Sequence, residues 1–220
     1  MKPIFIIPAL LFSYSCAAHA QELPPPLKNL MESNAIGDQI VKSDSLSADQ
    51  RIFMWQDTVR DKDGYLRVDA TQKYIEIISE FSGHIQTNPS VKASSEKFLS
   101  LTASGWKFIG EVKEDANRTS FGFAWEGIPA LMLTEWNYAK AGARVVRVDD
   151  FINTEVEGHL GTLTLALSKN MVQCLWKMTW LRDGKRFELY LADILNAENR
   201  PSRRPADIVA IAVRLNMELK

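Results

Sequence analysis

The sequence is poor in the two residue types that most often mark a metal centre or a nucleophilic active site. Its 220 residues contain only two cysteines and three histidines. It also lacks the glycine-rich loops of nucleotide-binding proteins, the G-x-S-x-G elbow of serine hydrolases and the H-E-x-x-H motif of zinc proteases. We therefore predict no metal site, no cofactor and no catalytic residue from local motifs. Histidine-based catalysis is restricted, whereas carboxylate chemistry stays open.

The sequence also has no large excess of charge of one sign. It carries 26 basic and 27 acidic side chains, a net charge of −1. Domains that bind nucleic acid usually carry a basic excess on their surface. The balance of charge therefore argues against nucleic acid as a partner.

Long apolar runs are equally scarce, and the most prominent one lies at the N-terminus. Ile4–Phe12 is almost unbroken apolar sequence, well short of the ~20 residues that a membrane span needs. Lys2 precedes this run, and Ala18-His19-Ala20 follows it in an A-x-A pattern. These are the parts of a secretory signal peptide, although a short buried helix is an alternative. We predict a signal peptide over residues 1–20, cleavage after Ala20, a periplasmic or secreted protein, and no transmembrane segment.

The cysteines bear on the same prediction. Lipid attachment at Cys16 is a second processing route, but Tyr14 suits the lipoprotein pattern poorly, and we favour cleavage after Ala20. Cleavage leaves Cys174 as the one remaining cysteine, so no intramolecular disulfide is expected. Cys174 lies within an apolar alternation, which predicts a buried, inert thiol.

We predict that residues 21–220 form a single α+β domain after a short proline-rich tether over Glu22–Leu27. Helical spacing of apolar residues predicts N-terminal helices over 27–33, 70–85 and 95–103. The sequence between the first two allows two readings. Ser47 and Gln50 have the spacing of a capping box before a helix, whereas 52–68 can also form a hairpin that turns at Asp61-Lys62-Asp63-Gly64.

From Trp106 onward, apolar residues recur at every second position instead of at helical spacing. This pattern predicts an antiparallel sheet of about six to seven strands. Arg182-Asp183-Gly184 reads as a tight turn, and short connections around it favour three consecutive antiparallel strands. A helix is predicted from Pro205 to the C-terminus, packed on the sheet. The apolar positions of the main predicted strands are Trp106, Phe108, Val112; Phe121, Phe123, Trp125; Leu131, Leu133; Leu163, Leu165, Leu167; Val172, Cys174, Trp176, Met178, Trp180; and Phe187, Leu189, Leu191.

Two groups of acidic residues invite a metal-site interpretation and do not support it. Asp61, Asp63 and Gly64 resemble part of an EF-hand loop, but the position that should carry the bidentate carboxylate is Ala70. Glu155, Glu157 and His159 would share one face of a strand, yet one histidine and two carboxylates are a weak metal-site signal, and a solvated loop or strand edge explains them better. We predict a polar turn in the first case and a strand edge or loop in the second.

Five residues are candidates for binding. Trp176 and Trp180 fall on one face of a predicted strand, and aromatic side chains are enriched at interfaces as well as in cores. Arg200, Arg203 and Arg204 form a basic loop between prolines, which suits an acidic partner or a lipid headgroup. A filled core and a solvated loop are the competing readings.

Export, one domain and missing catalytic motifs favour a non-enzymatic binding protein of a bacterial envelope. Its expected partner is another envelope or secreted protein, as for an inhibitor or immunity-type protein. Two alternatives remain at this stage. One is an exported hydrolase whose carboxylates are brought together by folding, and the other is a carrier of a small apolar ligand. A pocket with two convergent acids would favour the hydrolase, and an open cavity lined by tryptophan and methionine between sheet and helices would favour the carrier.

Overall fold

The computed structural model describes residues 38–45, 58–69, 98–126, 128–167 and 172–219. All described residues belong to one compact unit, Asn34–Lys220. The predicted signal peptide, the proline-rich tether and the predicted helices over 27–33 and 70–85 lie outside the described residues.

The described residues are mostly β-strand. Two helices accompany the strands, α1 (Leu99–Thr102) and α2 (Pro205–Glu218). The strands are β1 (Asp38–Val41), β2 (Thr58–Arg60), β3 (Leu66–Asp69), β4 (Trp106–Lys113), β5 (Arg118–Trp125), β6 (Ile128–Trp136), β7 (Val145–Val148), β8 (Thr154–Val156), β9 (His159–Leu167), β10 (Gln173–Arg182) and β11 (Lys185–Ile194).

Nine strands form one mixed sheet. Eight run in the order β2-β3-β9-β10-β11-β6-β5-β4, and β8 pairs with β9 on the edge that β9 shares with β3. The remaining two strands, β1 and β7, form a separate parallel pair. The pairs β9–β10 and β10–β11 are antiparallel, as the short connections predict.

The predicted sheet is wrong in strand number and in being wholly antiparallel. β3 lies parallel to β9 in the register Leu66↔Thr164, across almost a hundred residues of sequence. Apolar alternation identifies a strand but not a neighbour so far away, and the three-residue strands β2 and β8 are too short to show a period. Of the two readings for 52–68, the hairpin is confirmed where it is described, because β2 and β3 pair around the Asp61–Gly64 turn.

The alternation on the central strands is confirmed by burial. The apolar positions of β5, β6, β9, β10 and β11 point to one face, where they form the main core with α2. We name this the helix face and the opposite one the outer face. On β4 the expected alternation is interrupted after Phe108, because the register shifts there and Gly110 adopts φ 150. This irregularity explains why Ile109 and Gly110 blur the sequence pattern.

The C-terminal helix is confirmed with its predicted first residue. Pro205 occupies the first turn of α2, and Ile208, Ile211, Ala212 and Leu215 are buried. The missing N–H of proline costs nothing there, since the first N–H groups of a helix have no intrahelical acceptor. Within the predicted helix over 95–103, the described residues contain the single turn α1.

Arg182 connects the sheet to the end of α2. Its guanidinium donates to the backbone oxygen of Asn216 at 2.6 Å, to Asn216 Oδ1 at 2.8 Å and to the Leu219 oxygen at 3.1 Å. Trp180 Nε1 donates to the same Asn216 Oδ1 at 2.9 Å. A buried cation at a helix C-terminus meets the partial negative charge of the unpaired carbonyls. No helix of the described segments is long and apolar enough to cross a membrane.

Candidate functional site: a polar pocket on the outer face of the sheet

A pocket of about 370 Å³ lies on the outer face and combines charged, hydroxyl and aromatic side chains. Its volume is at the lower end of the range for small-molecule sites. We name it the outer-face pocket. Its lining residues are Glu114, Arg118, Met132, Thr134, Trp136, Arg186, Glu188 and Tyr190.

The strand register explains how these residues meet. β5, β6 and β11 are neighbours, and their residues between the core positions stand in cross-strand rows. The first row carries Arg118, Trp136 and Arg186. The second carries Ser120, Thr134 and Glu188, and the third carries Gly122, Met132 and Tyr190.

The first row contains a donor without an acceptor. The Arg118 guanidinium lies over the Trp136 ring, 5.3 Å from its centroid, and Nη1 is 3.8 Å from Glu114 Oε2. Arg118 Nε, in contrast, is buried and has no hydrogen-bond partner within the part of the chain that the structure describes. Buried donors are normally satisfied by protein or water, so this atom marks a place for an acceptor.

The second row supplies hydroxyl groups. Ser120 Oγ and Thr134 Oγ1 lie 2.7 Å apart and both residues are buried. Ser120 also donates a hydrogen bond to Glu114. These bonds fix the Glu114 carboxylate at one side of the pocket.

Glu188 is the most strongly engaged acid. It forms an ion pair with Arg186 and accepts a hydrogen bond of 2.6 Å from the Tyr190 hydroxyl. Burial alone would raise the pKa of Glu188, but Lys177, Arg186 and the Tyr190 hydrogen bond outweigh it and hold that pKa below its usual value. Glu188 is therefore ionised at neutral pH.

Lys177 stands beside the pocket on β10, opposite Tyr190 of β11. Its Nζ lies 5.2 Å from the centroid of the Tyr190 ring, within range of a cation–π interaction. Burial lowers the pKa of Lys177 and outweighs the opposing effect of Glu188. The Tyr190 ring and the Glu188 carboxylate favour the charged form of Lys177, whereas burial disfavours it.

The two tryptophans that the sequence offers as binding residues lie on the helix face. Trp176 and Trp180 are 0% and 1% exposed, and their indole N–H groups donate to Asp193 and Asn216. They contribute to the core, and neither can contact a partner while that core is closed. Cys174, on the same strand, is buried as expected, and burial raises the pKa of its thiol to about 12.

The three arginines of the basic loop have different surroundings, and the structure does not bring them together with the outer-face pocket. Arg203 packs over Trp106 and Trp125, 5.5 Å from each ring centroid. Arg204 is 81% exposed and pairs with Asp207 at the start of α2, and Arg200 is 66% exposed, 3.9 Å from Glu198. Their binding role remains a prediction, and Arg200 and Arg204 are the two that present charge to solvent.

The acidic groups that resembled metal sites lie in turns and on the strand residues beside them. Asp61 Oδ1 accepts from the Asp63 N–H at 3.1 Å, as in an ordinary polar hairpin. Glu155 accepts from the Gly158 N–H, and Glu157 has φ 46 in the turn between β8 and β9. Within the described segments no group of three or more histidine, cysteine, aspartate or glutamate side chains could hold a metal ion.

No family model, curated protein or solved structure matches the chain. The function proposed below is therefore argued from the side chains of the described residues.

The sequence contained a signal for the outer-face pocket. Ser120, Thr134, Arg186 and Glu188 occupy polar positions beside the apolar residues of three predicted strands, and Arg118 ends the hairpin loop that is predicted over 114–118 before the first of them. An alternating strand normally turns such positions to solvent, which makes each one unremarkable by itself. Only the order of the strands, with β6 between β5 and β11, gathers them into one place.

Proposed function

We propose that the protein is an exported, non-enzymatic binding protein of a bacterial envelope and that the outer-face pocket is its binding site. The observation that carries the proposal is the buried Arg118 Nε, a donor without an acceptor beside a polar pocket of about 370 Å³. An unused donor of this kind favours binding, because a ligand acceptor that reaches it forms a hydrogen bond that the free protein leaves unmade.

Glu114 and Glu188 line the same pocket, which favours a carboxylate-dependent hydrolase as a second candidate. A general acid must hold its proton near neutral pH, and enzymes achieve this by raising the pKa of one carboxyl group. Glu188 has the opposite shift, because its cationic neighbours and Tyr190 stabilise its ionised form. Glu188 therefore lacks the raised pKa of a general acid, and this argues against the hydrolase in which Glu188 donates the proton.

The carrier of an apolar ligand has less support. It calls for a cavity lined by tryptophan and methionine between the sheet and the helices, whereas Trp176, Met178 and Trp180 are almost fully buried in the core. An inhibitor or immunity-type role remains part of the proposal, with a side chain of a partner protein occupying the outer-face pocket.

Export is tested by expressing the full chain in a bacterium and isolating it from the envelope fraction. We expect a mature N-terminus at Gln21, determined by mass spectrometry of the intact protein. An uncleaved protein that stays in the cytoplasm, or a protein that carries a lipid on Cys16, would contradict the predicted cleavage after Ala20.

Binding is tested with the same exported protein by native mass spectrometry and affinity capture. We expect a ligand or partner that accompanies the wild-type protein and is lost from Arg186→Gln. Arg214→Gln is the matched control, because Arg214 is exposed on α2, on the helix-face side of the sheet. Hydrolytic activity that the exported wild-type protein has and the Glu188→Gln variant lacks would instead establish the hydrolase.

A further inference from the structure

The chemistry of the outer-face pocket also indicates its ligand, provided that this pocket is the binding site proposed above. We propose that it binds a single carboxylate attached to a short apolar or aromatic body, with the carboxylate held by Arg118 and Arg186.

Arg118 has hydrogen-bonding capacity to spare. Its guanidinium lies over the Trp136 ring, and its Nη1 is 3.8 Å from Glu114 Oε2, an ion pair that is too long to be a hydrogen bond. Its buried Nε has no acceptor among the described residues. Nε and one Nη of a guanidinium form a fork that matches the two oxygens of a carboxylate. Arg186 stands in the same cross-strand row on the other side of Trp136, so both cations border one space.

The charge balance favours a monoanion. The charges of Arg118 and Arg186 are cancelled by those of Glu114 and Glu188, which line the same pocket. A carboxylate brings one negative charge towards these two fixed carboxylates, whereas a doubly charged phosphate group brings two and is repelled about twice as strongly.

The remaining surface fits an apolar or aromatic body. Met132, Trp136 and Tyr190 line the pocket together with the charged groups. Met132 and Tyr190 belong to a small apolar cluster on the outer face, separate from the main core. Methionine and aromatic side chains make favourable contacts with the ring or alkyl part of a ligand.

The test uses sodium benzoate as the probe and benzamide as its neutral counterpart. Binding to the exported protein is followed by NMR through the Trp136 indole resonance, which is assigned with Trp136→Phe. We expect benzoate to shift this resonance saturably and benzamide to bind about tenfold more weakly or not at all, since a charge-assisted hydrogen bond contributes at least that factor.

Variants separate the role of charge from the role of Nε. Arg118→Gln removes both and should weaken benzoate binding about tenfold or more, whereas Arg118→Lys keeps the charge without Nε and should give an intermediate loss. Arg214→Gln should bind like the wild type, and thermal melts establish that each variant is folded. Equal binding of benzoate and benzamide, or unchanged binding in both Arg118 variants, would overturn the inference.

A free acid and an acidic side chain of a partner protein present the same group. A third probe, N-acetylglutamate N-methylamide, distinguishes them: binding tighter than benzoate points to a partner side chain, and weaker binding to a free carboxylic acid. Phenyl phosphate binding more tightly than benzoate would contradict a monoanion. If none of the acids binds while a partner is still lost from Arg186→Gln, the carboxylate inference fails and the binding function stands.

Discussion

Arg182 shows at the residue scale how a buried charge is retained in this core. The residue is 7% exposed, and its guanidinium satisfies three oxygens near the end of α2. Removing the cation would leave these acceptors in a place that water reaches poorly. Such a loss costs more than the bonds themselves contribute to stability.

We expect Arg182→Ala to lower the free energy of unfolding by about 3 kcal/mol, because it removes a buried charged donor from several acceptors. Urea denaturation followed by tryptophan fluorescence measures the change. Arg214→Ala is the matched control on the exposed side of α2 and should change stability by less than about 0.5 kcal/mol. Equal effects of the two substitutions would mean that the Arg182 contacts do not hold the end of the helix.

Cys174 predicts a dependence of stability on alkaline pH. Burial, assisted by the charge of Asp193, raises the pKa of its thiol from 9.0 to about 12. The folded state therefore keeps the proton that the unfolded state loses. The stability that this group contributes is fully present below pH 9 and declines as the pH rises towards 12, by about 1 kcal/mol per pH unit.

The measurement compares the wild type with Cys174→Ala by urea denaturation between pH 8 and pH 11. The raised pKa values of Tyr65 and Tyr138 also make the folded state less stable as the pH rises. They do so in both proteins, so the difference between the two stability curves isolates the thiol. We also expect no reaction of the native thiol with a disulfide reagent at pH 8. Parallel pH curves would contradict the predicted contribution of Cys174.

At the element scale, the β10–β11 hairpin is the feature that sequence chemistry determines most completely. Asp183 and Gly184 form its two-residue loop, and both have positive φ, 52 and 72. Asp-Gly is a preferred pair for the type I′ turn, whose twist matches that of the flanking strands. The hairpin fixes the register that brings Arg186 and Glu188 of β11 to the outer-face pocket.

We expect Gly184→Ala to destabilise the protein more than Gly64→Ala. Both glycines have positive φ, but a Cβ at Gly184 would lie 2.7 Å from the Ala139 Cβ, whereas one at Gly64 would meet nothing within 4 Å. The strain of the left-handed conformation should cost about 1 kcal/mol at either site, and the clash adds to it at Gly184 only. Thermal and urea melts provide the comparison.

The double variant Gly184→Ala, Ala139→Gly identifies the clash. The double variant lacks the opposing Cβ. It should therefore regain the stability that Gly184→Ala loses beyond the loss in Gly64→Ala, less the cost of placing a glycine at position 139. No recovery would show that backbone conformation, and not contact with Ala139, governs this turn.

At the scale of the whole molecule, the sheet has two faces with different roles. The helix face carries the apolar core against α2, and the outer face carries the candidate site. Leu189 and Glu188 are adjacent on β11 and point to opposite faces. We expect Leu189→Ala to lower the free energy of unfolding by about 2–5 kcal/mol through the cavity that it leaves.

Folded Leu189→Ala should bind benzoate like the wild type, because the outer-face pocket does not contain this side chain. Glu188→Gln should change benzoate binding with a smaller effect on stability. The two quantities are measured on the same samples by urea denaturation and NMR. A loss of benzoate binding in folded Leu189→Ala would show that the two faces are coupled.

Local features of the fold follow from the amino-acid sequence alone. Alternation placed the central strands, Asp183-Gly184 placed the main hairpin, and Pro205 with the Ile208–Leu215 stripe placed α2. These features depend on neighbouring residues and on steric preferences that act within a few positions. The same alternation left two alternatives for Trp176 and Trp180, since a ring facing a core and one facing a partner have the same spacing.

The partners of each strand and the position of the candidate site depend instead on how distant segments pack together. The parallel pairing of β3 with β9 joins residues almost a hundred positions apart, and no local preference encodes it. The site requires side chains of three strands to meet, Arg118 on β5, Thr134 on β6 and Glu188 on β11, with β6 between the other two strands. Strand order depends on the packing of the whole core, which is why the polar positions became a pocket only in the folded molecule.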